Sequence, residues 1–198
     1  MPYDVFAALV LFVFVTAFTP GPNNIMVTAS GVNFGFMRTV PHMAGITAGF
    51  VVLVVAAAAG LGAIFAAAPG LQTALKIAGA LYMLWLAWKV ANSRPDSGGR
   101  VDLANPMTFW QAAAFQWVNP KAVVMALTVI AIYVRPEYRV RDALIVLAVE
   151  IVATIGTVVA WTGFGVALRS LLANPRHART FNIVMALLLV VSIVPMVL

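Results

Sequence analysis

The sequence predicts an all-α integral membrane protein: six transmembrane helices in a 3+3 inverted repeat, with helices 1 and 4 broken. Three observations carry that prediction. The 198 residues are 63% hydrophobic and 9% charged, with a mean hydropathy of +1.01; a soluble domain carries about 25% charged residues. The apolar residues fall into six segments, each near or above the roughly 20 residues that cross a bilayer. Finally, helix-breaking and polar residues recur at matched depth. Thr19-Pro20-Gly21-Pro22-Asn23-Asn24 interrupts the first segment, and Asn119-Pro120-Lys121 interrupts the fourth. Irregular backbone survives in lipid only where protein or a water-filled cavity shields it. Broken segments in equivalent positions of two repeats point to a transporter's binding site.

The first segment is Val5–Val32. Its opening part, Val5–Phe18, makes only about 21 Å of helix at ~1.5 Å per residue, short of a hydrocarbon core of roughly 30 Å. It spans only by continuing through the break into Ile25–Val32. The second, Pro41–Ala68, carries Gly45-x-x-x-Gly49, a pattern for close helix packing. His42, beside Pro41 at its entrance, reads as an interface residue. The third, Leu71–Val90, has Lys76 as a snorkelling anchor and Tyr82, Trp85 and Trp88 as interface aromatics.

Residues 94–104, around Arg94-Pro-Asp-Ser-Gly-Gly-Arg100, have a linker's composition. They divide one transporter domain, residues 1–198, into repeat halves of about 1–93 and 105–198. The fourth segment, Phe109–Val134, needs Ala122–Val134 beyond its break to reach spanning length. Trp110 and Trp117 flank that break, with Trp117 placed to shape a pocket, and Gln111 and Gln116 are candidates for polar lining. Ala143–Leu168 is the fifth segment and Phe181–Leu198 the sixth. Gly60-Leu61-Gly62 late in the second segment is echoed by Gly163-Phe164-Gly165 late in the fifth, while Gly156 reads as a packing position. Three spans per half bring the second half in from the opposite side, which inverts the repeat.

Lys and Arg set the orientation. Connections one, three and five hold Arg38, Lys89, Arg94, Arg100, Arg169, Arg176 and Arg179; the opposite side holds Lys76, Arg135, Arg139 and Arg141. The excess places the odd connections in the cytoplasm and both termini outside. These basic residues sit in short connections, so the net charge of +6 is a topology signal and not a nucleic-acid footprint. The absence of Cys excludes disulfides, thiolate metal sites and thiol relays. No cleavable signal peptide is expected, since the first apolar run lacks a basic n-region and leads into the break.

Chemistry concentrates at the breaks. Proline removes a donor and clashes with the carbonyl four residues earlier, freeing the carbonyls of Thr16, Phe18 and Gln116. Gly21 permits unusual backbone angles and close ligand approach. Pro22 suits the first position of a new helix, whose free N–H groups and positive dipole end hold a carboxylate. Thr19 and Pro20 complete this break. Freed carbonyls and the oxygens of Asn23, Asn24 and Asn119 suit an ammonium, and Lys121 beside Pro120 adds a positive charge. Together they suit a zwitterion, of which an α-amino acid is the simplest. Glu150, the one acid inside a segment, is a candidate proton carrier by position, or a partner for Lys121 or Lys76. A glutamate reaching water at the outer interface is the alternative.

In sequence order, Thr19-Pro-Gly-Pro-Asn-Asn24, Gly35-Phe36, Ala44-Gly45-x-x-x-Gly49, Lys76-x-x-Gly79-Ala80-x-Tyr82, Trp85-Leu-Ala-Trp-Lys89, Asn119-Pro-Lys121 and Phe181-Asn-Ile-Val184 resemble the LysE/RhtB family of amino-acid exporters along the whole chain. The wording Pro-Gly-Pro-Asn-Asn-Ile and Trp-Leu-Ala-Trp-Lys is most similar to its cysteine/O-acetylserine exporter branch. The resemblance implies a multi-pass exporter of small amino acids or derivatives in the bacterial inner membrane, driven by the proton-motive force. Cysteine, O-acetylserine, threonine- or homoserine-like and basic amino acids all fall within that range. Pro20, Gly21, Pro22, Asn23, Asn119, Pro120 and Lys121 fall in the family's motifs. Some members carry an acid just after the second glycine of span two, where this chain has Phe50.

The expected partners are an amino-acid substrate, protons and the lipid bilayer, with no nucleic acid, no cofactor and no bound metal; a homo-oligomer is compatible with the sequence. The competing reading is a metal or inorganic-ion exporter, which calls for His, Cys or clustered carboxylates. This chain has two His and no Cys. No nucleophile–base pair marks it as an enzyme.

Overall fold

Proline and glycine decide where the helices stop and restart. The structure is a computed structural model that describes residues 1–92 and 105–194; the linker expected at 94–104 and the end of the sixth segment, residues 195–198, lie outside the described residues. The described residues are helical throughout: α1 (Tyr3–Phe18), α2 (Pro22–Phe34), α3 (Phe36–Ala59), α4 (Leu61–Ala67), α5 (Pro69–Ala91), α6 (Phe109–Val118), α7 (Pro120–Tyr133), α8 (Arg139–Leu168) and α9 (Pro175–Val191), with short 3-10 turns before and after α8. Both predicted breaks form. Pro22 and Pro120 each open the second half-helix, where a missing N–H costs nothing. The chain bends by 53° between α1 and α2 and by 67° between α6 and α7.

Three stretches are long and apolar enough to cross a membrane: Phe36–Ala59, Thr73–Ala91 and Pro136–Leu168. Taking each bent pair as one span raises the number to five. The sixth expected segment is carried by α9, whose 17 residues include Arg176 and Arg179, and it does not reach that apolar length within the described residues.

Several boundaries differ from expectation. α3 starts at Phe36 and runs through Pro41, which places His42 in a helix interior at 1% exposure and not at an interface. A helix can pass through a proline when neighbouring groups take over the freed backbone partners. The second segment stops at Ala59, well short of Ala68, because Gly60 adopts φ +115°, a left-handed conformation that L side chains resist.

Contacts between connections define two ends. At one, Arg169 reaches Gly35 and Arg38 donates to Asn105 at 3.4 Å. At the other, Arg139 donates to the Ala58 carbonyl, the Tyr133 hydroxyl to the Ala8 carbonyl at 3.3 Å, and Arg135 pairs with Asp142 at 2.7 Å. The Asp142 carboxylate raises the pKa of the Arg135 guanidinium.

Toward the Arg169 end the helices pack backbone to backbone. Gly31 of α2 lies against Thr162 of α8 and Gly165 of α8 against Thr28. Asn24 shares a cavity with Thr157 and Val158 at one end and Gly35 meets Arg169 at the other, so α2 and α8 run parallel. Gly45 and Gly49 of α3 lie in the same way against Phe109, Ala112 and Ala113 of α6. The packing role expected of Gly45-x-x-x-Gly49 is therefore met, whereas Gly156 has nothing within 4 Å. A side chain at Gly49 would fall on the Ala113 backbone. Gly49→Leu is expected to destabilise the protein by about 1–3 kcal/mol, read as a thermal midpoint lower by about 5 °C; Gly156→Ala should leave the midpoint unchanged.

Candidate functional site

α1 stops at Phe18, and Thr19, Pro20 and Gly21 carry the chain across to α2. The last carbonyls of a helix have no partner within it. Asn24 supplies one by reaching back across the break: its Nδ2 donates to the carbonyls of Ala17 and Thr19, both at 3.0 Å. The Thr19 hydroxyl turns back to the Val15 carbonyl at 2.7 Å. Its own carbonyl also accepts from Lys121 Nζ, which ties the first break to the second. At the second break one extended residue, Asn119, connects α6 to α7.

With proline at the first position of α2 and α7, the next two residues of each carry N–H groups that no helical carbonyl reaches. These are Asn23 and Asn24 in α2 and Lys121 and Ala122 in α7. All four line one cavity of about 50 Å³, room for on the order of four waters. Two positive helix ends and an ammonium therefore converge on it. Gly21 stands in the wall. Its φ of −166° is extended backbone open to any residue, so the angles expected to require glycine are not used. A Cβ there would lie 2.8 Å from Lys121 Cδ, so a side chain at this position would displace the Lys121 side chain.

α3 and α8 close the cavity with Ile46 and Phe50, and with Thr154, Thr157 and Val158. The acceptors lie here. Asn119 is 2% exposed, and its Oδ1 and the Thr157 hydroxyl have no hydrogen-bond partner among the described residues. Buried polar atoms are nearly always satisfied, so these two mark where a ligand's donors belong. Anion donors and unpartnered acceptors thus share a small cavity, a combination that suits an ammonium and a carboxylate on one small molecule.

Some expected residues have other employment. Gln116 is fully buried and exchanges hydrogen bonds with Asn23, Asn23 Nδ2 donating to Gln116 Oε1 at 2.8 Å and Gln116 Nε2 to Asn23 Oδ1 at 3.2 Å. Its Nε2 also donates to the Ala112 carbonyl at 2.9 Å. The pair is a strut between α2 and α6. Trp117 does not shape this cavity; it packs near Phe65 and Leu75 in a separate groove that Lys76 also lines. Glu150 pairs with neither Lys121 nor Lys76 and does not reach water. It is 1% exposed, with both carboxyl oxygens unpartnered among the described residues.

Thr154 and Thr157 went unread in the sequence, being hydroxyls in an apolar segment. Their signal was spacing: Glu150, Thr154 and Thr157 follow the i, i+4, i+7 pattern of one helix face. No group of three or more His, Cys, Asp or Glu able to hold a metal occurs among the described residues.

The sequence profile of the LysE type translocator family matches residues 14–194. The chain is 34% identical over 181 residues to the cysteine/O-acetylserine efflux proteins of Escherichia coli (strain K12) and Shigella sonnei (strain Ss046), over 90% of this chain and 90% of each relative. The protein of the same description from Escherichia coli O6:K15:H31 (strain 536 / UPEC) is 33% identical over the same length. No solved structure matches the chain.

Proposed function

The chain belongs to the LysE type translocator family, and from that premise we propose that it exports a small amino acid or amino-acid derivative across the bacterial inner membrane. Cysteine and O-acetylserine, the cargo in its relatives' names, are the first substrates to try. One observation carries the reading. The N-terminal ends of α2 and α7 and the Lys121 ammonium share a cavity with the unpartnered oxygens of Asn119 and Thr157. The substrate carboxylate lies on the donor side, held by Lys121 and the amides of residues 23, 24, 121 and 122. Its ammonium lies against Asn119 and Thr157. The strut of Asn23 and Gln116, the Thr19 carbonyl and the turn at Pro20, Gly21, Pro22 and Pro120 hold these groups in place.

The same reading keeps six spans in one domain, as a 3+3 inverted repeat. Supporting it, Pro22 and Pro120 open equivalent half-helices, α2 runs parallel to α8, and α3 to α6. α9 packs along α5 through Leu189, Ala186 and Met83 and supplies the sixth span. The basic connections at the Arg169 end face the cytoplasm, which leaves both termini outside. Export is driven by the proton-motive force, with Glu150 as the proton carrier.

The test is transport by purified protein in liposomes loaded with cysteine or O-acetylserine. Saturable efflux, with counterflow of labelled substrate, is expected. Liposomes that release neither compound faster than protein-free controls would overturn the reading.

A further inference from the structure

A second and larger cavity lies on the Arg169 side of the breaks. Its volume is about 380 Å³, against about 50 Å³ at the breaks. α2 contributes Met26 and Asn33, α3 contributes His42, α5 contributes Tyr82 and Trp85, and α6 contributes Gln111. α2, α3 and α6 each reach it with residues nearer the Arg169 end than those they offer the first cavity or the breaks. The Asn23–Gln116 strut stands between the two cavities. Asn23 lines the first, and Met26, three residues on, lines the second.

We infer that this second cavity is a loading site, where the amino-acid substrate binds before it reaches the breaks. The inference rests on the export reading. Two features define the ligand. His42 is 1% exposed, and neither ring nitrogen has a partner among the described residues. A neutral imidazole presents one donor and one acceptor, so the cavity asks for a polar ligand. A lipid tail would leave both nitrogens orphaned, which buried polar atoms rarely are. The second feature is the aromatic wall of Tyr82 and Trp85, whose rings lie 5.4 Å apart. The Lys89 ammonium lines the same cavity and lies 4.2 Å from the Trp85 ring centroid, so it already occupies that ring face and favours an anionic group of the ligand at this wall. A zwitterion meets both features, with its carboxylate toward Lys89 at the aromatic wall and its ammonium donating to the unprotonated ring nitrogen of His42.

Position gives the site its role. The cavity lies toward the end that carries Arg38 and Arg169, which the export reading turns to the cytoplasm. Backbone contacts of α2 with α8 and of α3 with α6 close the break-level cavity on that side. A substrate arriving from the cytoplasm is therefore held below the Asn23–Gln116 strut until those contacts part.

The test is equilibrium binding of labelled cysteine, kept reduced, to the protein in lipid nanodiscs; the chain has no Cys to trap it as a mixed disulfide. Two molecules per chain are expected for the wild type. Lys121→Met and His42→Phe should each bind one, and the double variant none. Tyr82→Leu, which changes the wall and spares the imidazole, serves as the second probe should His42→Phe fail to fold. A wild type that binds one molecule, lost in Lys121→Met and kept in His42→Phe and Tyr82→Leu, overturns the loading site and leaves the export reading standing. A protein that neither binds nor transports cysteine or O-acetylserine overturns both.

Discussion

Lys121→Met is expected to lower kcat/KM for export about 100-fold while the protein folds normally. The ammonium is the one full positive charge among the residues that line the break cavity. It lies beside the Thr19 carbonyl that it ties to the second break. Removing one member of a buried, hydrogen-bonded charge pair costs about 2–5 kcal/mol, because the other charge is left stranded. At roughly 1.4 kcal/mol per factor of ten, a loss of about 2.8 kcal/mol, inside that range, gives the expected 100-fold effect. Lys121→Arg should not restore transport, since the planar guanidinium is not a substitute for a compact ammonium in a cleft as tight as that at Gly21. Gly21→Ala should reproduce much of the defect with the charge intact, because the added methyl would meet Lys121 Cδ at 2.8 Å. Initial efflux rates from liposomes measure all three. A Lys121→Met protein that exports at the wild-type rate removes the proposed carboxylate site.

Glu150→Gln should separate substrate movement from its driving force. A carboxylate sealed from water with no partner is costly, whereas a carboxylic acid there is not. Glu150 sits one helical turn from Thr154 on the face of α8 that lines the cavity, with both oxygens unpartnered among the described residues. A group in that place can take a proton when the site is closed and lose it where water enters. With one proton per substrate, the wild type should build a substrate ratio of about tenfold per unit of pH gradient, since a unit is about 1.4 kcal/mol. Glu150→Gln should continue to exchange labelled for unlabelled substrate, yet accumulate none under the same gradient. Full accumulation by the variant would show that the proton travels elsewhere.

The breaks were legible in the sequence because proline and glycine act locally. Pro22 and Pro120 open new helices for the same covalent reason in any fold; α2 begins at Pro22 as expected, and α7 begins at Pro120, two residues before the expected Ala122. Gly45 and Gly49 were also readable, as small residues a turn apart let backbones approach. The reading failed where neighbours decide. His42 looked like an interface residue because proline usually stands at a helix start, yet α3 passes through Pro41 and buries it. Trp117 adjoins the break in the chain but faces Phe65 and Leu75. Gln116 looked like a free amide until Asn23 proved to be its partner.

The sequence by itself determined that this chain belongs in a membrane, that two of its helices are interrupted, and which residue types stand at the interruptions. These follow from composition and from backbone chemistry confined to a few adjacent residues. Only the tertiary structure decided which polar groups are spent on one another and which remain for a ligand. It brought Thr154 and Thr157 of α8 and Phe50 of α3 to the breaks, gave the Asn24 amide to the end of α1, and left Asn119, Thr157 and Glu150 with unpartnered oxygens among the described residues. Hydrogen-bond satisfaction depends on distances of about 3 Å between residues far apart in the chain, and helix packing sets those distances.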